Sequence, residues 1–287
     1  MRTGRQTGRR EFLAAIAAIG AIPTATAYAQ RGRPLAPGEV RNPVRPAVPP
    51  PPVRKATITK LFKTPDGHPN GLDASPEGFW IGEQVTDRAI LMSLDGKVLR
   101  TLDTECHNCS GLAVGGGYLW MSANGAAQFD RPVKIDRTNQ EILQCDMNGK
   151  VVKRHTVPLG GGSATGLEYV DGKLWLAAGR LKALMQVDAE TFEPILAHPF
   201  QLTRPHGLAW DNGAMWVVDG DDAPRLVKMD AKTGATLEII QLQPGDPDPH
   251  GLAMLNGTLY FCDAGIHPGW DRDKSASTGW MCRVDVI

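Results

Sequence analysis

The chain has 287 residues, with 31 Lys and Arg against 31 Asp and Glu and a formal net charge of zero. A nucleic-acid-binding protein needs a basic face, so this balance argues against a nucleic-acid partner. Apolar residues make up 42% of the chain, and the length is sufficient for one large domain with a buried core.

The N-terminus carries the pattern of an export signal. Residues 7–13 read TGRREFL, an apolar run follows from Ala14 to Ile22, and small residues precede a cleavage position after Ala29. This order of features is typical of a twin-arginine signal peptide. We therefore expect residues 1–29 to be a signal peptide and the mature protein to be periplasmic. The rest of the chain has no apolar run long enough for an integral membrane domain.

A proline-rich segment follows the signal. Residues 31–53 contain eight prolines, four of them consecutive from Pro49 to Pro52. This composition favours an extended, semi-rigid polyproline conformation. We interpret residues 30–55 as a linker and residues 56–287 as one folded domain.

One frame is repeated five times in that domain. Each copy has a Gly followed by Leu, and an aromatic residue nine positions after the Gly. Successive glycines are 40, 55, 41 and 44 residues apart, which is the period of a four-stranded propeller blade rather than of a helical repeat. The pairs are Gly71 with Trp80, Gly111 with Trp120, Gly166 with Trp175, Gly207 with Trp216, and Gly251 with Tyr260.

Short strands separated by turns are predicted within each copy. Turn residues such as Asn212-Gly213 tolerate a positive φ, and no helical period is found after the N-terminus. We therefore predict an all-β fold, a β-propeller of five blades with the aromatic residues packed between neighbouring blades. The last copy holds only three strands, so we expect Ala56–Lys63 to be its fourth strand and to close the ring.

Two positions of the frame are polar in some copies only. Both positions are expected at the same end of the central channel. His or Asn is combined with an acid in copies four, five and one, and these copies are consecutive in a closed ring. The residues before the Gly are Asn70, Ser110, Thr165, His206 and His250, and those twelve after it are Glu83, Ala123, Ala178, Asp219 and Asp263.

Imidazole and carboxylate groups together suit a divalent cation, which we expect to be Mg, Ca, Mn or Zn. A cation can polarise a carbonyl group while a His outside its coordination sphere moves a proton. The alternative is structural, because a His before Gly and an acid at a strand end also satisfy backbone groups. The predicted metal ligands are Glu83, Asp219 and Asp263, the predicted catalytic groups are His206 and His250, and the predicted substrate contacts are Asn70, Ser110 and Thr165.

Two long connections, Asn124 to Gln140 and Ala264 to Gly279, are expected to rise from the same end of the channel. Long loops on a rigid scaffold often carry function. We predict that His267 and Trp270 in the second connection contact the substrate.

Five cysteines are an odd number for an oxidising compartment. Cys106 and Cys109 have the Cys-x-x-Cys spacing, but no His follows Cys109, so the pair is not a haem attachment site. Cys262 and Cys282 fall on strands that should be adjacent. A disulfide is an open alternative for either pair.

The phrases PHGL at residues 205–208 and 249–252, with WVVD at 216–219 and YFCD at 260–263, resemble the repeat of streptogramin B lyase-like propellers. More loosely they resemble the gluconolactonase/SMP-30 group, and the likeness covers residues 56–287 as a repeat pattern. The lyases open a cyclic ester by elimination with Mg and catalytic His and Glu. The resemblance implies that His206 and His250 match the family's His, and that Asp219, Asp263 and Glu83 match its acid.

The chain departs from the lyases in three respects. It has five copies rather than seven, mostly Asp in place of Glu, and a shorter gap between His and acid. These differences leave the fold expectation intact and weaken the expectation for the reaction.

We expect an exported, monomeric protein that binds a small-molecule substrate and acts as a metal-dependent hydrolase or lyase of a cyclic ester or related oxygenated metabolite. A second hypothesis is a metal-free enzyme similar to glutaminyl cyclase. A third is a propeller that binds a ligand or protein without catalysis.

Overall fold

The computed structural model describes residues 49–125, 140–221, 223–265 and 279–287. The chain divides into two units, Met1–Pro51 and Pro52–Ile287, and the fold below is that of the second unit. Its described residues form twenty strands and a single 3-10 turn at Pro158–Gly160. None of them forms a helix that is long and apolar enough to cross a membrane.

The strands pair into three antiparallel four-stranded sheets and one sheet of eight strands. The eight-stranded sheet consists of two antiparallel four-stranded units whose outer strands pair in parallel, and we call the resulting units blades one to five. Blade one contains β2 (Pro69–Ser75), β3 (Gly78–Glu83), β4 (Arg88–Met92) and β5 (Val98–Asp103). Blade two contains β6 (Cys109–Gly115), β7 (Tyr118–Ala123), β8 (Glu141–Cys145) and β9 (Val151–His155). Blade three contains β10 (Ala164–Val170), β11 (Lys173–Ala178), β12 (Ala183–Asp188) and β13 (Pro194–Pro199). Blade four contains β14 (Pro205–Asp211), β15 (Ala214–Asp219), β16 (Arg225–Asp230) and β17 (Thr236–Gln241).

Blade five is completed by a strand from the start of the domain, as predicted. It contains β18 (Pro249–Leu255), β19 (Thr258–Asp263), β20 (Trp280–Val286) and, antiparallel to β20, β1 (Val53–Lys63). This strand begins at Val53 rather than Ala56, because its first three residues pair in parallel with Ile239–Gln241 of β17. Three residues of the expected linker therefore join the outer strands of blades four and five.

The repeated glycines let the inner strands approach each other closely. A Cβ atom on Gly207 would lie 2.4 Å from the carbonyl oxygen of His250, in the inner strand of the next blade. A Cβ atom on Gly251 would lie 2.6 Å from Leu72, in the inner strand of blade one. Contacts between neighbouring inner strands therefore continue from blade five to blade one and close the ring. This confirms the predicted β-propeller.

The repeated aromatic residues fill the spaces between blades. Trp80 of blade one packs in a core cluster with Met121 of blade two, and Trp216 of blade four packs with Phe261 of blade five. Trp80 and Trp216 are 1% and 4% exposed. The sequence prediction that these side chains pack between blades is therefore correct.

The strand register decides the question of the Cys262–Cys282 disulfide. Cys262 lies opposite Met281 and Cys282 lies opposite Phe261 in the β19–β20 pair. Because neighbours along a strand face opposite sides of a sheet, the two thiols point away from each other. Cys262 packs between blades five and one, and Cys282 packs between blades four and five. This geometry cannot form a disulfide.

The other three cysteines share the core between blades one and two. Cys106, Cys109 and Cys145 are buried there as free thiols. Burial raises the pKa of Cys106 well above its ordinary value and the pKa of Cys145 to about 12. Cys106 and Cys145 are therefore protonated at neutral pH.

Candidate functional site

A polar cavity of about 400 Å³ lies where the five inner strands begin. Every blade contributes to it, and every residue that precedes a repeated Gly lines it. The lining side chains are amides, hydroxyls, two imidazoles and one guanidinium, and the described lining includes no Asp or Glu. The lining residues are Asn70, Gln84, Asn108, Ser110, Asn124, Gln140, Ser163, Thr165, Gly179, Thr203, Arg204, Pro205, His206 and His250.

A local irregularity in each inner strand directs these residues toward the channel. The pairing of inner and second strands shifts register beside the Gly in all five blades, and such a bulge re-aims the side chain next to it. The shifts lie at Pro69/Gly71, Cys109/Gly111, Ala164/Leu167, Pro205/Leu208 and Pro249/Leu252.

The two histidines predicted to act as acid–base groups are neighbours in the cavity. The ring centroids of His206 and His250 are 4.6 Å apart. His206 is 7% exposed, and its Nδ1 has no hydrogen-bond partner among the described residues. Burial, assisted by the nearby His250 and Arg204, lowers the pKa of His206 well below 6.5. His206 is therefore neutral at pH 7 and can accept a proton.

His250 is held by two neighbours. Arg204 Nη2 donates to Nε2 of His250 at 3.3 Å, and Nδ1 of His250 lies 3.3 Å from the carbonyl oxygen of Asp248. A guanidinium group only donates, so Nε2 is the acceptor and the imidazole proton is on Nδ1. Arg204 also donates to the carbonyl oxygen of Gly220 at 3.2 Å. His250 and Arg204 thus orient each other beside His206.

The carboxylates predicted as metal ligands are used differently. Oε1 of Glu83 accepts the backbone N–H of His68 at 2.7 Å, and Oε2 accepts those of Val85 and Thr86 at 2.8 and 2.7 Å. Glu83 is 0% exposed, and burial raises its pKa above the ordinary 4.5. Both oxygens are therefore occupied by the backbone of the same blade.

The same arrangement recurs in blades four and five. Oδ1 of Asp219 accepts the backbone N–H groups of Thr203 and Arg204, each at 2.9 Å, and Oδ2 accepts two bonds from Arg225 at 3.1 and 3.0 Å. Asp263 accepts the backbone N–H group of Gly265 at 3.0 Å, and burial raises its pKa to about 7.

A single rule describes Glu83 and Asp219. Each accepts the N–H of the residue three before the repeated Gly, which is His68 or Arg204. The acid thereby fixes the segment that leads into the inner strand of its own blade. No three His, Cys, Asp or Glu side chains of the described chain are arranged to hold a metal ion. Hydrogen bonds thus occupy both carboxylate oxygens of Glu83 and of Asp219, and the cation expected from the sequence stays a prediction.

The cavity contains residues that the repeat frame did not indicate. Gln84, Asn124 and Gly179 lie thirteen rather than twelve positions after the Gly, and they line the cavity in place of Glu83, Ala123 and Ala178. Side chains alternate along a strand, so a frame displaced by one residue selects the opposite face. The lining residues Asn108, Ser163 and Arg204 share the position three before the Gly. Reading positions −3, −1 and +13 would have found this set.

Two unpartnered oxygen atoms mark one side of the cavity. Oδ1 of Asn70 and Oδ1 of Asn124 are buried and make no hydrogen bond with the described residues. The predicted substrate contacts Asn70, Ser110 and Thr165 all line the cavity. His267 and Trp270 lie outside the described residues.

Comparison with solved structures supports the propeller fold. The chain is similar to the glutaminyl cyclase of Myxococcus xanthus, with a TM-score of 0.60 and 16% identity over 83% of this chain and 100% of that one. It is also similar to a streptogramin B lyase, with a TM-score of 0.48 and 14% identity over 81% of this chain and 98% of that one. The virginiamycin B lyase of Staphylococcus aureus gives a TM-score of 0.47 and 17% identity over 79% of this chain and 69% of that one. No protein-family model and no curated protein matches the sequence.

Proposed function

We propose that the chain is a propeller enzyme that binds a small polar molecule in the central cavity and uses His206 as its proton-transfer group. One observation carries the proposal. A buried imidazole with an unpartnered nitrogen lines a cavity of about 400 Å³, which is the size of a small-molecule site. Unpartnered buried polar atoms are uncommon in folded proteins and indicate a functional group.

The substrate class follows from the repeat resemblance, which favours a small cyclic ester or a related oxygenated metabolite. In hydrolysis, His206 takes a proton from water, the oxygen of that water bonds to the ester carbonyl carbon, and the ring C–O bond breaks. The imidazolium then returns the proton to the leaving alkoxide. In elimination, His206 takes a C–H proton, a C=C bond forms, and the ring oxygen leaves as part of a carboxylate.

Arg204 supports either route. Its guanidinium lines the same cavity as His206 and donates to Nε2 of His250 at 3.3 Å, so its positive charge lies in the cavity. A fixed positive charge stabilises the negative charge that develops on the carbonyl or leaving oxygen. The proposed route uses no cation held by Glu83, Asp219 and Asp263, because each of these carboxylates already accepts backbone N–H groups and Asp219 also accepts from Arg225.

The experiment measures turnover of γ- and δ-lactones by wild type, His206→Asn and His198→Asn. His198 lies on an outer strand and contacts the carbonyl oxygen of Ala231, so it provides the same substitution away from the cavity. We expect His206→Asn to lower kcat/KM about 10²- to 10⁴-fold and His198→Asn to leave it unchanged. The acidic limb of the pH profile should lie below pH 6.5, because the pKa of His206 is lowered.

The products separate the two routes, since hydrolysis adds the mass of one water molecule and elimination adds none. Equal activity of wild type and His206→Asn would reject the assignment. Absence of turnover of every lactone would reject the cyclic-ester class.

A glutaminyl-cyclase-like activity is the second candidate. It is favoured by a likeness that spans the whole of that enzyme's chain and by the unpartnered oxygens of Asn70 and Asn124, which suit the N–H groups of a glutamine amide. Release of ammonia from a peptide with N-terminal glutamine, unaffected by a chelator, would select this candidate. Ligand binding without turnover of either substrate would indicate a non-catalytic propeller.

A further inference from the structure

Three side-chain amides form a hydrogen-bonded series along blades one and two. Nδ2 of Asn70 donates to Oε1 of Gln84 at 2.7 Å, and Nε2 of Gln84 donates to Oδ1 of Asn108 at 2.6 Å. All three residues are buried, at 3%, 2% and 1% exposure, and all line the cavity. We call these residues the amide series. Each amide donates to the next, so its orientation is set by its neighbour.

The far end of the amide series is anchored to a buried acid. The backbone N–H of Asn108 donates to Oδ1 of Asp87 at 3.1 Å, and Oδ2 of Asp87 lies 3.1 Å from Nδ1 of His107. The hydroxyl of Thr104 donates to the carbonyl oxygen of Asp87 at 2.8 Å. Asn108 adopts a left-handed conformation, with φ of 54°, which Asn tolerates better than most residues. This anchor fixes the backbone that carries Asn108 before any ligand binds.

The near end of the amide series lies in the cavity wall. Nδ2 of Asn70 is used by Gln84, and Oδ1 of this cavity-lining residue is buried without a partner among the described residues. Oδ1 of Asn124, from the adjacent blade, is unpartnered on the same side. A carbonyl oxygen only accepts hydrogen bonds. This side of the cavity therefore matches a ligand that donates.

We propose that Gln84 is a positioning residue that holds Asn70 with its carbonyl oxygen toward the cavity, so that the site selects ligands with an O–H or N–H group facing blades one and two. This inference rests on the proposed function, because it assumes that the ligand is a cyclic ester. The substrate is then a cyclic ester whose ring carries a hydroxyl or N–H group. A plain lactone, or one whose donor is blocked, leaves the buried oxygens unpaired and binds weakly.

The test measures dissociation constants by ligand-detected NMR for four probes. These are α-hydroxy- and β-hydroxy-γ-butyrolactone and the methyl ether of each. For wild type we expect at least one hydroxy compound to bind about tenfold more tightly than its ether, as the loss of one hydrogen bond to a buried group requires. In Gln84→Met this ratio should fall to about one, because Asn70 loses the acceptor that orients it.

Two variants provide controls. Gln84→Glu keeps an oxygen that accepts from Nδ2 of Asn70, so the preference for the hydroxy compound should persist. Gln144→Met makes the same Gln-to-Met change at a half-buried site on β8 outside the cavity, and it should also retain the preference. If Gln84→Met does not fold, Asn70→Leu takes its place. It removes Oδ1 of Asn70, the acceptor proposed for the ligand, and should abolish the preference.

Equal affinities, a preference for the ethers or no detectable binding of any probe by wild type would overturn the inference. An unchanged ratio in Gln84→Met, or in Asn70→Leu where that variant is needed, would overturn it as well. Binding is measured without turnover. A wild type that prefers the hydroxy compounds but converts none of them would therefore refute the proposed reaction and leave the selectivity intact.

Discussion

Asp219 accepts four hydrogen bonds at the end of β15, two from backbone N–H groups before β14 and two from Arg225. Glu83 accepts the corresponding backbone N–H of His68 in its own blade, and Asp263 accepts the backbone N–H of Gly265. At the residue scale, therefore, a His-and-acid pattern separates into two roles. The imidazoles of His206 and His250 face the cavity, and the carboxylates tie each second strand to the segment before its inner strand.

Asp219→Ala tests this division of roles. Asp219 is 1% exposed, so its loss leaves two backbone N–H groups and Arg225 without their acceptor. We expect the free energy of unfolding, measured in urea, to fall by about 3 kcal/mol. Asp285→Ala removes an exposed ion pair with Arg283 and should have little effect. A variant that kept its stability but lost a bound divalent cation, measured by elemental analysis, would restore the metal-ligand role.

At the element scale, the blade depends on a Gly that admits the neighbouring strand and an aromatic residue that fills the space behind it. Gly207 lies against the backbone of the inner strand of blade five, and Trp216 packs with Phe261 of that blade. The close approach of inner strands brings the five residues that precede the glycines around one cavity. Packing between blades and assembly of the site thus have the same cause.

Gly207→Ala should destabilise the protein because its Cβ would lie 2.4 Å from two backbone atoms, the oxygen of His250 and the nitrogen of Leu252. Neither atom can move as a flexible side chain can. We expect a loss of about 1 to 3 kcal/mol in the free energy of unfolding. Gly179→Ala is the matched control, since the nearest atom to its Cβ is 4.0 Å away. Equal melting temperatures for the two variants would contradict the packing role of Gly207.

The folded molecule buries carboxyl groups on two of its inner strands. Asp73 on β2 and Glu168 on β10 are each 8% exposed, and Asp73 accepts the backbone N–H of Val114 in the next inner strand at 2.7 Å. Burial raises the pKa of Asp73 to about 7 and, helped by the charge of Asp73, raises the pKa of Glu168 well above 4.5. The folded state therefore favours the protonated forms of Asp73 and Glu168.

The pH dependence of stability follows from these shifts. Asp73, Glu168 and Asp263 hold protons in the folded state at pH values where the unfolded chain has released them, so stability falls as pH rises toward their folded pKa values. His155 and His206 have lowered pKa values and act in the opposite sense, but only below 6.5. We therefore expect the free energy of unfolding to decrease between pH 6.5 and 8.

Each proton held only by the folded state contributes about 1.4 kcal/mol per pH unit. Urea denaturation at several pH values measures the slope, and Glu168→Gln should reduce it because one titrating group is removed. A stability that increased across this interval would show that these carboxyl groups are not buried as described.

The repeat frame by itself determined the β-propeller, the closing strand and the aromatic packing, because these depend on the period of the chain and on side-chain size. It also identified His206 and His250, since the residue before each Gly is fixed relative to the bulge. The carboxylates, by contrast, lie at the same strand ends as the cavity but point away from it. Glu83 binds backbone N–H groups, whereas Gln84, the next residue, lines the cavity. Only the tertiary structure decided which oxygens the backbone occupies, which thiols face each other and which amides stay unpartnered. These properties depend on side-chain direction and on contacts between residues far apart in sequence, which a one-dimensional pattern does not contain.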